Sequence, residues 1–433
     1  SRLFNKIPYF DENVEISQYP DIPNNEFTRD EILSMLAKEM LDAAELLPAS
    51  QSEVGRIHKY IALAYAAKIK LYQAYQQDEI THAVTSINKE LLREVVSLCD
   101  QVTASNRYGL LDDFQGLDLV TNENGKESVF AIQYSMNDGT ESAGRINWSN
   151  LLNSPGGGSP YGGDGFFLPS QDLINAYQTD ANGLPDFNYQ SKSDYSWAVL
   201  NNGVYTLQNT TPNVDPRLDF VVGRPTITWK TYPDKPCEGW VRDKDTYGYN
   251  CAKRFWVSPE SSDMFNGWPW GASQLNWQII RYADILLWKA EALIELNEGD
   301  GLETARDLIN QIRNRARNSA YVKDFNDHSK YAANYLVNPY PADVWNQDYA
   351  RQALRWETRL EKALEGERFF DLVRWGIVET TMNKYITAES DNRIYYANAH
   401  FTGGKDEYYP VPNNQYGFSG GKYVQNPGYA PFN

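Results

Sequence analysis

Three carboxylates stand at four-residue spacing in the C-terminal half of the chain: Glu357, Glu361 and Glu365. On a helix, positions i, i+4 and i+8 share one face. Two acids about 5 Å or 6.5–9.5 Å apart across a sugar would suit glycoside hydrolysis. Arg359, Lys362, Arg368 and Arg374 are interleaved with them. A carboxylate occupied by a guanidinium stays ionised and makes a poor general acid. The run is therefore expected to be a structural ion-pair face with no catalytic residue. Other chemistries find less support. The four histidines, His58, His82, His328 and His400, are scattered and form no HExxH pair. No C-x-x-C pair occurs. The loop SPGGGSPYGGDG (Ser154–Gly165) lacks the Gly-Lys-Ser/Thr ending of a phosphate loop. Asp/Asn/Gly segments lack full EF-hand spacing. No cofactor and no metal site is expected, an incidental calcium ion apart.

The residues that point to binding are aromatic. Twelve Trp and thirty Tyr are a heavy load for 433 residues. Several sit in loops beside polar groups: Asn266-Gly267-Trp268-Pro269-Trp270, Cys237-Glu238-Gly239-Trp240, Arg145-Ile146-Asn147-Trp148, and Tyr161 near Asp164. Sugars present apolar C–H faces ringed by hydroxyls. A receptor for them needs flat aromatic surface with Asn, Asp or Arg nearby. The candidate ligand residues are Trp268, Trp270, Trp240, Asn266, Trp148, Tyr161 and Asp164. Any one Trp can instead plug its loop onto the scaffold; the group is expected to supply at least one platform.

Three cysteines are present. Cys99 shares a helical face with Leu91, Val95 and Val102 and reads as an inert core thiol. Cys237 and Cys251 flank the loop-like EGWVRDKDTYGYN. Paired, they would contribute about 3 kcal/mol through loop entropy. Two unrelated thiols are the alternative.

The elements that must carry these groups are helical. In Trp277–Arg317, Ile279, Ala283, Leu286, Ala290 and Leu293 recur at helical spacing, and Leu302, Ala305, Leu308, Ile309, Ile312 and Ala316 repeat the pattern. Glu298–Gly301 breaks the run where a helix exit needs positive φ. Alanines facing leucines suit the close packing of tetratricopeptide-type pairs. Earlier helices are expected from Thr28, whose capping box uses Glu31, to Pro48; from Gly55 to about Gln77; and over about Asn88–Ala104. Residues 108–275 change texture: Lys126–Ser135 alternates like a strand, a short helix falls within Phe166–Gly183, and the rest is rich in Pro, Gly, Asn and aromatics. Later helices are expected at about Gln347–Leu364 and Glu367–Ile377.

This divides the chain into a helical N-terminal part (1–107), a loop-rich insertion with the candidate ligand face (108–275), central and C-terminal helical pairs (276–378) and an irregular end (379–433). The class is mainly α: a degenerate tetratricopeptide-like scaffold with a large loop-rich, partly β insertion. A net charge of −17 disfavours nucleic acid and anionic lipid as partners. No apolar run is long enough to span a membrane.

RYADILLWKAEALIELNE followed by ARDLINQIRNRA resembles the signature core of the SusD/RagB family, surface glycan-binding lipoproteins of Bacteroidetes. The likeness extends in order along the chain: TRDEILSMLAKEMLDAAELLP, GRIHKYIALAYAAKIKLYQAY, ESVFAIQYS, FFLPSQDLINAYQTDANGLP, DPRLDFVVGRP, LEKALEGERFFDLVRWG and YYPVPNNQ. Where the family pattern has Glu-Arg, this chain has Glu357-Thr358, with Arg359 one position late. The family's lipidated N-terminal cysteine and first tetratricopeptide helices have no counterpart in these residues, so the chain reads as N-terminally incomplete. The resemblance implies an outward-facing outer-membrane lipoprotein capping a SusC-like TonB-dependent transporter. It would capture an oligosaccharide and deliver it without breaking a bond, touching the membrane only through its anchor. It also implies that Arg368, Asp371 and Arg374 form a scaffold ladder. Capture of peptides is the alternative within the family; a glycoside hydrolase using Glu361 or Glu365 is the alternative outside it.

Overall fold

The structure, a computed structural model, describes residues 2–140, 144–233 and 237–432. Three helices open it: α1 (Arg29–Leu46), α2 (Lys59–Ala74) and α3 (Lys89–Thr103). The Thr28–Glu31 capping box starts α1, and the Asn88 side chain caps α3. α2 ends earlier than its composition suggests, because Tyr75–Gln77 (β1) turns and pairs with Val84–Ile87 (β2). The insertion carries short pieces: β3 (Ser128–Ile132), α4 (Gln171–Ala176), β4 (Gln178–Thr179), β5 (Trp197–Asn201), β6 (Val204–Gln208), β7 (Asn213–Val214), α5 (Arg217–Val221), β8 (Val222–Gly223), α6 (Lys244–Tyr247) and β9 (Cys251–Ala252). β10 (Trp277–Arg281) leads into α7 (Tyr282–Leu296), followed by α8 (Gly301–Asn318), α9 (Gln347–Glu361), α10 (Arg368–Arg374), α11 (Val378–Glu389) and α12 (Asn413–Phe418). The strands form antiparallel pairs, β1 with β2, β3 with β10, β4 with β7, β5 with β6 and β8 with β9.

The helices stack in order: α1 on α2, α2 on α3, α3 on α7, α7 on α8, with α9 against α7 and α8. Alanine makes this approach close. Ala64, Ala66, Ala67 and Leu71 of α2 meet Leu92, Val95 and Cys99 of α3 and Ile285 and Ala292 of α7 in one core. Ala283, Leu286 and Ala290 of α7 meet Ala305, Ile309 and Ile312 of α8 and Ala350 and Leu354 of α9 in a second. Burial pushes the Cys99 thiol up to about 12, which suits an inert core position.

Four features depart from the sequence expectation. Ile279 is not on the first central helix: Trp277–Arg281 is a strand paired with Ser128–Ile132. Its Trp-Gln-Ile-Ile texture favours a strand once a partner is present. The helix exit is Asn297, in the left-handed region at φ 51°, followed by Gly299 at φ 54°. Residue 379 opens no irregular segment, because α11 runs through it; only Val378 and Glu389 of that helix are buried, so it shows little apolar period. The ladder is half-formed: Asp371 pairs with Arg374 at 2.9 Å, while Arg368 donates to the Arg355 carbonyl at 3.2 Å. The late Arg359 reaches across to Asp172 of α4 at 2.6 Å.

Between scaffold and insertion lies a buried ion network. Arg281, at the end of β10, pairs with Glu127, Glu361 and Glu365. Arg217 of α5 pairs with Asp215, Glu357 and Glu361. Arg313 and Arg315 of α8 reach Glu357 and Glu361. Burial alone would raise the Glu361 carboxyl; Arg315, Arg281 and Arg217 outweigh it and bring it from 4.5 to about 2. A depressed carboxyl contributes stability that is full above the unfolded value and lost as pH falls through the folded one. Replacing Glu361 by Ala takes one carboxylate from Arg217, Arg281 and Arg315, leaves their buried positive charge short of a counter-charge, and is expected to cost about 3–5 kcal/mol near neutral pH. Denaturant titration should show this, and the gap to the parent protein should narrow as pH is lowered from about 4.5 towards 2.

Candidate functional site

Two loops present indole rings side by side. Residues 264–273 form a tight hairpin, bridged at Met264 and Ser273 and closed by the Phe265 N–H donating to the Ala272 carbonyl at 2.8 Å. Its outer end carries Asn266, Trp268 and Trp270, all exposed. The Asn147 N–H donates to the Ser273 carbonyl at 2.9 Å, which ties the short 3-10 helix Trp148–Asn153 to the hairpin. Trp148 and Trp268 meet edge to face, ring centres 5.6 Å apart at 70°. Trp268 is 71% exposed, Trp270 55% and Trp148 44%. On the adjoining backbone, the Phe166 N–H donates to the Leu152 carbonyl at 3.0 Å, and both side chains are exposed. Neither was singled out from sequence; an exposed Phe next to a glycine loop carries no helical or strand period to mark it.

The glycine-rich loop 154–165 is the mount. A Cβ on Gly163 would lie 1.7 Å from Ser154 Oγ, so only glycine lets the loop fold on itself there. A Cβ on Gly162 would lie 3.2 Å from Trp270 Cβ, which places the loop directly beneath that residue. Arg242 fastens the loop from outside, donating through Nη2 to the Gly163 carbonyl at 2.8 Å and pairing with Asp164 at 3.1 Å.

Two of the sequence candidates face inward. Tyr161 is fully buried and Trp240 is 3% exposed. With Trp229, Trp256, Val241, Cys237 and Cys251 they form a small core under the loops. The Tyr161 hydroxyl donates to the Val257 carbonyl at 2.6 Å and accepts from Trp229 Nε1 at 2.9 Å. The ring's polar end is thereby satisfied inside, and a buried tyrosine so bonded has no free group for a ligand. Trp240 packs 5.0 Å from the Trp229 ring centre. These two residues support the face; they do not form it. The structure brings Trp148, Trp268, Trp270 and Asn266 together at the hairpin, with Asp164 on the mounting loop.

The SusD family model matches residues 126–429. The chain belongs to the SusD family. A search of curated protein sequences finds no match. Among solved structures, the chain is similar to a SusD-like protein from Bacteroides fragilis, at 21% identity and TM-score 0.66, over 99% of this chain and 76% of that one. A SusD superfamily protein from Bacteroides vulgatus gives 20% identity and TM-score 0.66, over 99% and 74%. Surface glycan-binding protein A from Bacteroides thetaiotaomicron, in complex with laminarihexaose, gives 17% identity and TM-score 0.56, over 98% and 74%. These likenesses establish the SusD-like fold.

Within this SusD-family chain, Glu357, Glu361 and Glu365 do not line a substrate cleft. Glu357 and Glu361 are fully buried, and all three carboxylates are bonded to guanidiniums. Among the described residues, no group of three or more His, Cys, Asp or Glu is placed to hold a metal ion, and no helix is long and apolar enough to cross a membrane. A cleft of about 660 Å3, lined by Leu33, Tyr65, Lys68, Tyr72, Glu367 and Phe370 among others, lies elsewhere and shares no residue with the indole face. No tryptophan is among its lining residues. Gly163→Ala tests the mount. Overpacking against Ser154 is expected to cost about 1–3 kcal/mol and to speed proteolysis within 154–165; an unchanged cleavage rate would show that the loop has room to spare.

Proposed function

We propose that this chain is a non-catalytic cell-surface receptor for oligosaccharides. The carrying observation is the exposed Trp148–Trp268–Trp270 group on a hydrogen-bonded hairpin. Large rings left in water on stiff backbone mark a binding site more often than a packing defect. Two indoles at 70° form a step on which a curved chain of pyranose rings can stack. Asn266, Asp164 and Arg242 supply donors and acceptors for ring hydroxyls. Membership of the SusD family supports the same reading, and so does the laminarihexaose bound by one structural neighbour. Binding of this kind needs no cofactor. With the active-site alternatives sealed in ion pairs, the ligand would leave as it arrived. The reading extends to delivery: a lipid-anchored protein on the outer face of the outer membrane, passing its cargo to a SusC-like TonB-dependent transporter.

Calorimetry against a panel of oligosaccharides that includes laminarihexaose tests the binding step. At least one glycan is expected to bind, and Trp268→Ala with Trp270→Ala is expected to weaken it by tenfold or more, about 1.4 kcal/mol or above, with the melting curve unchanged. Binding that survives the double substitution would contradict the assignment of the face. Co-purification with a TonB-dependent barrel from native outer membranes tests delivery.

A further inference from the structure

The segment that fastens the mount starts and ends on a cysteine. Cys237 and Cys251 bring their sulfurs within 3.5 Å of each other, and both side chains are buried. A disulfide needs about 2.0 Å between sulfurs, so a movement of about 1.5 Å closes the gap. Cys251 is anchored by the β8–β9 pair, where it faces Gly223. Gly223 also makes room for the partner, since a Cβ there would lie 2.7 Å from Cys237 Sγ. Cys237 itself sits at φ 59°, in the left-handed region that a β-substituted residue seldom adopts. Such a conformation persists where its surroundings impose it, and here it accompanies a sulfur set beside Cys251. Cys99 lies apart, in the scaffold core.

We propose that Cys237 and Cys251 form an intramolecular disulfide that closes segment 237–251 into a ring and locks the mount of the indole face. Within that ring, Gly239 accepts from the Gly158 N–H at 3.2 Å. Trp240 packs on Tyr161, ring centres 6.2 Å apart. Arg242 holds Gly163 and Asp164. Every one of these contacts touches the glycine-rich loop that lies beneath Trp270, so the covalent closure bears on that loop whatever ligand the face takes.

The oxidant is a disulfide, either a small molecule or an oxidoreductase. One protein thiolate attacks a sulfur of that disulfide, forms a mixed disulfide and expels one thiolate. The second protein thiolate then attacks the protein sulfur of the mixed disulfide, forms the Cys237–Cys251 bond and expels the other. Two protein thiols lose two protons and two electrons, and the oxidant leaves as two thiols. Both sulfurs are shielded in the folded chain, and burial raises the Cys237 thiol well above its ordinary range. Exchange therefore belongs to the stage before the segment closes, and the finished bond is protected from reductants.

The full chain folded in an oxidising compartment, denatured and blocked with N-ethylmaleimide, gives the answer by intact mass. One maleimide, on Cys99, is expected. An unreduced tryptic map should hold a peptide joined through Cys237 and Cys251, with cleavage between them at Arg242 and Lys244. Three maleimides, or a bond to Cys99, would overturn the proposal. Native proteolysis supplies the second arm. Chain folded in reductant should be cut within 238–250 about a hundredfold faster than oxidised chain, the factor that closing a ring of this size implies. Equal rates would overturn the locking role.

Discussion

Arg281 is the point on which the architecture turns. Its guanidinium, almost wholly buried, meets Glu127 from the insertion, Glu361 at the end of α9 and Glu365 just beyond it. Removing such charges from water carries a heavy desolvation penalty, and it is recovered only when every partner arrives together. The network therefore works as a geometric condition: helices α8 and α9, strand pair β3–β10 and helix α5 satisfy it in one relative placement. Apolar side chains of the same size could match its stability, but they would tolerate sliding that fixed hydrogen-bond directions do not.

That condition reaches the indole face by a short route. Arg254 belongs to the network, through Glu365 at 3.4 Å and Asp118 at 3.0 Å. Its neighbour Phe255 donates its N–H to Asp118 and stacks on Trp277 of β10. Trp256 enters the small aromatic core beside Tyr161, and Val257 accepts the Tyr161 hydroxyl. Gly162 and Gly163 follow directly, with Trp270 above them. Four consecutive residues thus span from the buried charge to the small core beneath the exposed ring. Rigidity at the face is what a stacking site needs, since a platform ordered in advance loses less entropy on binding.

Much of this was legible in the residues. Arginines interleaved with Glu357, Glu361 and Glu365 already marked those acids as paired, and the Ala/Leu periods of α7 and α8 marked a stacked helical pair. The resemblance to the SusD family, spread in order along the chain, was legible too. What stayed hidden depends on partners distant in sequence. Trp240 and Trp270 each stand one residue or two from a glycine in similar loops, yet one is sealed and the other open, because Trp229 and Tyr161 happen to cover the first. Trp277–Arg281 keeps a helical period by chance and becomes a strand because Ser128–Ile132 lies beside it. The spacing of Cys237 and Cys251 around a loop left pairing and unrelated thiols both open; what sets the two sulfurs side by side is Gly223, distant in sequence.

The central claim is that a stiffly mounted indole surface holds a sugar chain without cutting it. A crystal structure of the protein soaked with an oligosaccharide that binds in solution tests this most directly. An intact oligosaccharide is expected, with pyranose rings stacked at about 4 Å on Trp148, Trp268 or Trp270 and hydroxyls bonded to their polar neighbours. A sugar lodged in the Tyr72–Glu367 cleft with the indoles bare, or one found cleaved, would contradict it.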